Sequence, residues 1–312
     1  MIEVAMVLAA GRGERMRPLS DVLPKPALPL PDGPVVASAI RLAAAGGARR
    51  VVVNTWHLAH TMEQRLQGVA APPIQISREP ERMGTSGGIA LARDRGLLGD
   101  RGPVLIINGD GLLNLDLEPL LHHMTTGGDL VSLALLPHLD PLSWSRVLLG
   151  HDGTIRGFRP PGTPDPGEVP FLFPGVMLVS REALDTLPSR PGETPEDLWG
   201  PAMACGRLSG VPVSGHWREV GNPTAYLEAV LSRLRGKGVI HPSSEVHPTA
   251  AIGAAYVGPD ARVEAGAVVG ESVISEGAVV GESARVLRSV LLGRVTADAG
   301  EKVVDHFLAK PL

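Results

Sequence analysis

Short apolar runs rich in β-branched residues alternate with helix-like stretches over the first three quarters of the chain. Strands are predicted at residues 4–9, 50–54, 74–77, 104–108, 171–179 and 217–220, and helices at residues 35–45, 60–67, 87–97, 196–205 and 224–234. This alternation is typical of an α/β domain with a mainly parallel sheet. The run Val104–Asn108 is apolar at four successive positions, which predicts a central strand buried on both faces.

A different rhythm begins after Gly236. Aliphatic residues recur about every six positions, at Ile240, Val246, Ile252, Val257, Val263, Val269, Ile274, Val280, Val286 and Leu292. A small or apolar residue stands four positions after each of the first nine of these aliphatic residues. The bulky members of this second set, Tyr256, Val273 and Val290, lie 17 residues apart. This spacing predicts a three-sided coil of about three turns with one inward aliphatic residue per side. We therefore predict two domains, residues 1–235 and residues 236–312.

The first predicted strand leads into a loop with Gly-Arg-Gly at residues 11–13, and Arg15, Arg17 and Lys25 follow it. Glycine lets a ligand approach the backbone, and successive amides in a tight turn bind anions. Cations beside such a turn indicate a polyphosphate ligand. A dinucleotide fingerprint would need a third glycine where Met16 stands, and the Gly-Lys-Ser/Thr of a P-loop is absent from this loop.

Asp110 follows the predicted strand Val104–Asn108, at the carboxyl edge where functional residues of open α/β sheets collect. Gly11 and Gly84 are expected at the same edge, facing one cleft. An unpaired buried charge costs several kcal/mol, so we expect a divalent cation, Mg²⁺, as the partner of Asp110. The competing interpretation is that Asp110 caps the next helix.

The composition narrows the class of protein. The 312 residues carry a formal net charge of −4 at pH 7 and include one cysteine. A weakly acidic chain without a basic stripe is not expected to bind nucleic acid or an anionic membrane. A single cysteine excludes an internal disulfide, and the chain shows no basic leader and no apolar run of membrane-spanning length. These features predict a cytoplasmic protein.

Three segments carry a family resemblance. Residues 8–26, LAAGRGERMRPLSDVLPKP, resemble the signature L-x-A-G-x-G-[TE]-R-[LM]-x-P-L…P-K-P of the sugar-1-phosphate nucleotidylyltransferases. Residues 79–88, EPERMGTSGG, are similar to E-P-x-x-L-G-T-A-G-G/A of that family, and residues 217–226 to W-x-D-[IV]-G-T-P-x-x-Y. The C-terminal rhythm resembles the left-handed parallel β-helix of hexapeptide-repeat proteins. The resemblance implies an α/β fold in which a Rossmann-like nucleotidyltransferase domain precedes that β-helix.

The resemblance also implies a role for each matching residue. The expected catalytic residues are Arg15, Lys25 and Asp110. The expected nucleotide-binding residues are Ala10, Gly11, Gly13, Glu79, Gly84 and Thr85. The expected sugar-binding residues are Asn108, Gly109, Glu168 and Gly175. Mg²⁺ would be held by Asp110 and Glu219.

Two positions depart from the family pattern. Glu219 stands where the family has an aspartate, and its extra methylene moves the carboxylate by more than ~1 Å although octahedral Mg²⁺ is demanding. Many members also hold the sugar phosphate with the lysine of an E-K-P segment, whereas this chain has Arg159 in that neighbourhood. The branch that acts on N-acetylmuramate 1-phosphate lacks that lysine as well.

The implied reaction joins an NTP to a sugar 1-phosphate and releases pyrophosphate. A carboxylate at Glu79 can accept from N1–H and N2–H of guanine together, which favours GTP; with the β-helix, this favours mannose 1-phosphate as the sugar. Glu79 as a solvated loop acid is the alternative. Two alternative hypotheses stay open. One is uridylyl or thymidylyl transfer to another sugar 1-phosphate, such as N-acetylmuramate 1-phosphate, and the other is a non-catalytic regulatory homologue. Because an open coil end is normally paired or capped, we expect a homo-oligomer through the β-helix.

Overall fold

A computed structural model describes residues 2–69, 72–126 and 128–312. Internal contacts divide the chain into two compact units. The first comprises the described residues within 1–11, 36–59 and 70–217, and the second consists of Arg12–Val35, His60–Val69 and Arg218–Leu312. The predicted domain boundary after residue 235 stays a prediction. No helix in the described part of the chain combines the length and apolarity that a membrane crossing requires.

One ten-stranded sheet organises the first unit. From edge to edge its strands are Ile155–Arg159, Arg146–Leu149, Phe171–Leu172, Val131–Pro137, Val176–Val179, Val104–Asn108, Val4–Leu8, Arg50–Thr55 and Ile74–Arg78, with Leu208–Pro212 paired to Val131–Pro137. Val4–Leu8 lies parallel to both its neighbours, whereas Val176–Val179 is antiparallel to both of its own. The sheet is therefore parallel in its N-terminal part, as predicted, and mixed beyond it. Gly111–Leu115 and Gly215–Glu219 are strands outside this sheet.

The core of this unit lies on the central strands. Residues 104–107 are each no more than 1% exposed, which confirms a strand buried on both faces. Among them, Val104 and Ile106 pack with Val4 and Met6 against buried residues of the helices that cover the sheet. Burying these apolar surfaces is the main source of stability for such a layered domain.

Helices cover this sheet at Ala37–Ala45, Gly84–Asp94, Glu118–Thr126, Arg181–Thr186 and Gly200–Ala204, with a π-helical turn at Pro195–Trp199. The helix predicted at 87–97 begins three residues earlier, at Gly84, because the Glu79 carboxylate holds the Met83 N–H at its start. The strand predicted at 171–179 is interrupted at residues 173–175, where a proline lacks an N–H and Gly175 has φ +83°.

The second unit begins with the chain that follows the glycine loop. It contains short 3₁₀ turns at Glu14–Met16, Leu19–Asp21 and Lys25–Ala27, the paired strands Pro29–Leu30 and Gly33–Pro34, and the helix Pro223–Leu234. The helix Ala59–Leu66 has all but its first residue here. Asn222 caps Pro223–Leu234 by accepting from the N–H of Ala225, and the buried Tyr226 donates to the carbonyl of Pro29 at 2.6 Å.

The rest of the second unit is a parallel β-helix with three sheets. The sheets are Val239–Ile240, Tyr256–Val257, Val273–Ile274, Val290–Gly293 and Phe307–Lys310; Glu245–Val246, Arg262–Val263, Val279–Val280 and Thr296–Ala297; and Ala251–Ile252, Val268–Gly270, Arg285–Leu287 and Lys302–Val304. Successive coils align residues 17 apart, as Tyr256 with Val273. The 17-residue coil is confirmed. With sheets of five, four and four strands, the helix exceeds four coils rather than the predicted three.

One detail of the predicted coil is wrong, and the structure adds another. Leu291, and not Leu292, continues the inward ladder, because it lies 17 residues after Ile274 in the register. The bulky residues Tyr256, Val273 and Val290 lie outside the coil interior, because adjacent strand residues face opposite sides and Val257 is the inward one. Their exposures of 7%, 0% and 0% show that this outer face of the first sheet is covered.

Candidate functional site

The glycine loop is shaped by Gly13, which has φ +64° and closes the turn Glu14–Met16. A Cβ at Gly13 would lie 3.3 Å from the Cβ of Lys25, so glycine is needed for both the left-handed backbone and the close approach. Lys25 itself is only 6% exposed. A Cβ at Gly11 would meet no atom within 4 Å, so the backbone there has open space beside it.

Arg15 and Glu219 contact each other. The Arg15 Nη2 donates to the Glu219 Oε1 at 2.9 Å, with side-chain exposures of 71% and 19%. The other oxygen, Oε2, lies only 2.5 Å from where a Cβ on Gly221 would stand, so the carboxylate folds back over its own chain. The residue expected to bind the triphosphate and the residue expected to bind the metal are therefore paired in this structure.

A hydrogen-bonded chain connects the first strand with residues 79–88. The Ala9 N–H donates to Asn54 Oδ1 at 2.7 Å, and Asn54 Nδ2 donates to Glu79 Oε1 at 2.7 Å. Glu79 Oε2 accepts from the Met83 N–H at 3.2 Å. Glu79 is 5% exposed, so it is not the solvated loop acid of the alternative interpretation. Burial raises the pKa of its carboxyl, and these hydrogen bonds partly oppose that shift.

Sequence reasoning missed Asn54. It is 3% exposed and stands near the carboxyl end of Arg50–Thr55. The signal was present, because a polar residue near that end of an apolar strand is the same pattern that singled out Asp110. The Asn54 amide donates to Glu79 and accepts from Ala9, so it sets the relative position of these two residues.

Gly84 and Thr85 contact another segment of the same unit. A Cβ on Gly84, which has φ +71°, would lie 2.3 Å from the carbonyl oxygen of Gly192. The Thr85 N–H donates to Glu193 Oε2 at 3.1 Å. Next to them, Ser86 Oγ donates to Asp197 Oδ2 at 2.7 Å. The positive φ and the close approach of Gly192 therefore already require glycine at position 84. Base binding by Gly84 and Thr85 stays a prediction.

Two of the expected sugar-binding residues come together at the interrupted strand. The Asn108 N–H donates to the Gly175 carbonyl at 2.8 Å, and a Cβ on Gly175 would lie 2.6 Å from Asn108 Nδ2. Gly109 follows, and its N–H donates to the Leu8 carbonyl at 2.9 Å. The Asn108 side chain is exposed, so its amide is accessible to a ligand.

Glu168 is engaged in a different contact. Its Oε1 accepts from Arg146 Nη1 at 2.6 Å and its Oε2 accepts from the Asp165 N–H at 3.0 Å, with side-chain exposures of 10% and 8% for Glu168 and Arg146. This ion pair anchors the proline-rich loop at residues 160–170. Arg146 also lies outside every sequence motif, so only the fold reveals it.

Two carboxylates, Asp110 and Glu219, are the residues expected to hold a metal ion. Asp110 is half-buried and offers a hard carboxylate of the type that Mg²⁺ prefers. Glu219 offers the same chemistry, but Arg15 occupies one of its oxygens. Across the described residues, no group of three or more His, Cys, Asp or Glu side chains is placed to hold a metal ion. A metal on this donor set would therefore need oxygens from substrate phosphates.

Comparison with known proteins bears on the whole N-terminal region. The nucleotidyl transferase family model matches residues 4–235. The mannose-1-phosphate guanylyltransferase of Mycobacterium tuberculosis is 28% identical over 81% of this chain and 74% of its own. Mannose-1-phosphate guanylyltransferase 1 of Arabidopsis thaliana is 26% identical over 78% and 69%. The catalytic subunit beta of that enzyme from Drosophila pseudoobscura pseudoobscura is 26% identical over 80% and 70%.

The family match spans the strand and loop of residues 4–26, Asn54, Glu79 and Asp110. It covers more than two thirds of the chain, so the resemblance found in the motifs extends over the entire α/β region. The chain belongs to the nucleotidyl transferase family, and it is a nucleotidyltransferase of the sugar-1-phosphate nucleotidylyltransferase type.

Proposed function

We propose that this protein transfers a guanylyl group from GTP to mannose 1-phosphate, giving GDP-mannose and pyrophosphate. The observation that carries the proposal is that relatives from a bacterium, a plant and a fly, each matching about four fifths of this chain, are mannose-1-phosphate guanylyltransferases. Glu79 supports the choice of base. Each of its oxygens accepts one hydrogen bond from the protein, which leaves lone pairs for N1–H and N2–H of guanine.

In the proposed reaction, an oxygen of the sugar phosphate attacks the α-phosphorus of GTP. The bond from that phosphorus to the bridging oxygen breaks, and pyrophosphate leaves with the electron pair. The attacking oxygen is already ionised at neutral pH, so no protein base is required. Catalysis then depends on alignment and on neutralising the developing negative charge.

The residues that contact the substrates have distinct roles in this proposal. Lys25 binds the α-phosphate and the sugar phosphate, and its low exposure strengthens its electrostatic interaction with them. Arg15 and the amides of the glycine loop bind the triphosphate. Asn108, Gly109 and Gly175, with Glu168, line the sugar pocket.

In the proposal, Asp110 and Glu219 would hold Mg²⁺, and Glu219 would be available to it if Arg15 turned to the triphosphate. When bound, Mg²⁺ neutralises phosphate charge and orients the phosphates. The exposed Arg15 supports this exchange, because an ion pair with one solvent-exposed partner contributes only about 0–1 kcal/mol and is readily replaced by a polyphosphate.

The test is pyrophosphate release in the presence of Mg²⁺, with four NTPs and a panel of sugar 1-phosphates. We expect release with GTP and mannose 1-phosphate, and its loss in Asp110→Ala. Asp100→Ala is the matched control, because Asp100 is an exposed surface aspartate. Release only with UTP or dTTP would reject the role of Glu79 in base choice. Nucleotide binding without release from any pair would favour a regulatory homologue.

A further inference from the structure

A cavity of about 260 Å³ lies within the second unit, and none of its lining residues is assigned above to phosphate, base, sugar or metal. The β-helix contributes one wall through the covered outer face of its first sheet, and residues 22–34 contribute another. Apolar side chains make up most of the lining. Four of its residues are prolines, Pro29, Pro31, Pro34 and Pro259.

Tyr256 is the polar residue that marks this cavity as a binding site. It is 7% exposed and lines the cavity. Burial raises the pKa of this hydroxyl, while Arg65 and Glu276, which also line the cavity, act on it with opposite signs. The Tyr256 hydroxyl is not one of the enclosed polar atoms that lack a partner among the described residues, so it can face water in the cavity, and a ligand acceptor can take the place of that water.

Two further donors line the same space. Ser275 is 2% exposed and its Oγ accepts from the Gly293 N–H at 2.9 Å, which leaves its own proton to donate. His241 Nδ1 accepts from the Ser243 N–H at 3.2 Å, so the ring is the tautomer with its proton on Nε2. The cavity therefore presents three donors, and its ligand must carry acceptors.

The charge and size of the cavity restrict the ligand further. Arg65 is paired with Glu276, so the two formal charges cancel and the site favours a neutral molecule. Proline has no N–H, and its rigid ring offers a flat apolar surface against which a planar ring packs. The volume lies below the ~300–1,000 Å³ typical of sites for drug-sized ligands, which excludes a whole nucleotide sugar.

We propose that this cavity is a second ligand site, and that it binds a neutral planar heteroaromatic molecule of about nucleobase size whose acceptor atoms bond to Tyr256, Ser275 and His241. The site is linked to the catalytic segment, because Leu23 and Ala27 line the cavity on either side of Lys25. Occupation of the cavity therefore alters the position of Lys25 and changes the rate of nucleotidyl transfer. This kinetic consequence rests on the proposed function, whereas binding does not.

Binding is tested on the full chain by calorimetry, with nicotinamide and adenine as neutral probes and benzoate as a charged ring of similar size. We expect the neutral probes to bind and benzoate to bind at least tenfold more weakly. Tyr256→Phe keeps the ring and removes only the hydroxyl, so it should fold and weaken binding about fivefold, the effect of one hydrogen bond. Failure of both neutral probes to bind at millimolar concentration, or equal affinity in Tyr256→Phe, would overturn the proposal.

The chain offers a matched pair of histidines for a second test. His241 and His247 each accept from a backbone N–H two residues later at 3.2 Å, but only His241 lines the cavity. We expect His241→Ala to weaken binding severalfold and His247→Ala to leave it unchanged. Equal effects of the two substitutions would overturn the site.

The link to Lys25 has its own measurement. Saturating nicotinamide or adenine should change kcat or KM for pyrophosphate release at least twofold in the natural protein and not in Tyr256→Phe. Binding without a change in rate would reject the link and leave the ligand site. If the enzyme is inactive with every substrate pair, only the proposed function is rejected. The ligand site is still tested, because calorimetry measures binding of nicotinamide or adenine without turnover.

Discussion

The contact between Arg15 and Glu219 changes the roles that these two motif residues can have before substrate binds. Each was assigned to a different part of the substrate complex, the triphosphate and Mg²⁺, yet here they neutralise each other at 2.9 Å. Glutamate in place of the family's aspartate has the extra length to fold back over Gly221. Its carboxylate therefore serves as a counter-ion for Arg15 before any substrate binds.

Substitution of Glu219 by glutamine tests whether this residue also acts on the metal. Because Arg15 is 71% exposed, we expect the free energy of unfolding to change by less than about 1 kcal/mol. We expect the Mg²⁺ concentration for half-maximal rate to rise about tenfold or more, since glutamine removes a carboxylate ligand. Steady-state kinetics over a Mg²⁺ titration measure this shift.

Glu245→Gln is the control for that experiment. Glu245 pairs with Arg262 at 3.3 Å in the same unit, outside the candidate site. It should leave both stability and Mg²⁺ dependence unchanged. An unchanged Mg²⁺ requirement in Glu219→Gln, with only a higher KM for the nucleotide, would show that Glu219 acts through Arg15 alone.

Glu79 makes stability depend on pH. Its folded-state pKa is raised by burial, so between the unfolded and folded pKa values the native state binds more protons than the unfolded state. The stability contributed by Glu79 is thus fully present below the unfolded pKa, about 4.3–4.5, and is lost as pH rises through the folded pKa. Glu79→Gln cannot titrate, so the stability of the natural protein relative to this variant should fall as pH rises from about 4.3 through the folded-state pKa of Glu79.

Denaturant unfolding at several pH values measures the difference between the two proteins. Glu81→Gln is a control, because Glu81 is an exposed carboxylate in the same loop. A difference that rises with pH, or stays constant, would contradict the raised pKa of Glu79.

The interruption at residues 173–175 is the clearest case in which an element carries part of the site. Without it, one straight strand would run from 171 to 179, as the apolar pattern predicts. The break lets the backbone at Gly175 accept from the Asn108 N–H and leaves space for the Asn108 side chain. Two expected sugar-binding residues are brought together by this local departure from regular structure.

Gly175→Ala and Gly167→Ala form a matched pair that isolates this contact. Both glycines have φ +83°, but an added Cβ meets Asn108 at 2.6 Å in the first case and no atom within 4 Å in the second. Each substitution should lower the free energy of unfolding by about 1–2 kcal/mol because alanine is strained at this φ. Gly175→Ala should lower it by about 1–3 kcal/mol more because the added Cβ overpacks against Asn108. It should also raise KM for the sugar phosphate.

Thermal or denaturant unfolding and steady-state kinetics measure these effects. Equal destabilisation by the two substitutions would mean that Asn108 moves aside without cost. A severe kinetic loss in Gly167→Ala would show that sugar binding responds to the loop of residues 160–170, as the role proposed for Glu168 requires, and not to the Asn108 contact alone.

The β-helix depends on a regular ladder of inward aliphatic residues. Ile274 is 0% exposed and belongs to that ladder, whereas Ile240 in the first coil is 46% exposed. We expect Ile274→Ala to destabilise the protein by about 2–5 kcal/mol because it leaves a cavity in a packed interior. Ile240→Ala should cost less than about 1 kcal/mol, and denaturant unfolding of both variants compares them. A similar loss in both would mean that the first coil is buried by a partner in solution.

Across the whole molecule, the second unit is discontinuous in sequence. Arg12–Val35 and His60–Val69 belong with the β-helix, and Leu19, Leu28 and Val35 are each 0% exposed within it. Covering the outer face of a solenoid with residues from the N-terminal region buries apolar surface that either part alone would expose to water. The site residues Arg15 and Lys25 therefore depend on a unit that is completed by the C-terminal repeats.

A fragment of residues 1–235 tests this dependence. Loss of the β-helix exposes the apolar side chains that pack in the second unit, so we expect a less cooperative transition, a lower Tm and little pyrophosphate release. Circular dichroism melting and the release assay measure the outcome against the full chain. A fragment as stable and active as the full chain would instead support the predicted boundary after residue 235.

Local pattern was sufficient to predict much of this protein. The strands at 4–8 and 104–108, the 17-residue coil and the loop motifs all follow from short-range periodicity, turn chemistry and motif residues, which neighbouring positions specify. Family membership follows from the same motifs.

Contacts between distant positions were decided by the tertiary structure. Asn54 contacts Ala9 and Glu79, and Arg15 contacts Glu219, so these hydrogen bonds join residues that lie 25 to 204 positions apart. Tyr256 is buried only because another part of the chain covers the outer face of its sheet. A sequence pattern specifies which face of a strand is apolar, but not which other part of the chain buries it. Burial and pairing are properties of the folded molecule, and here they determine which polar groups are already bonded and which remain available to a ligand.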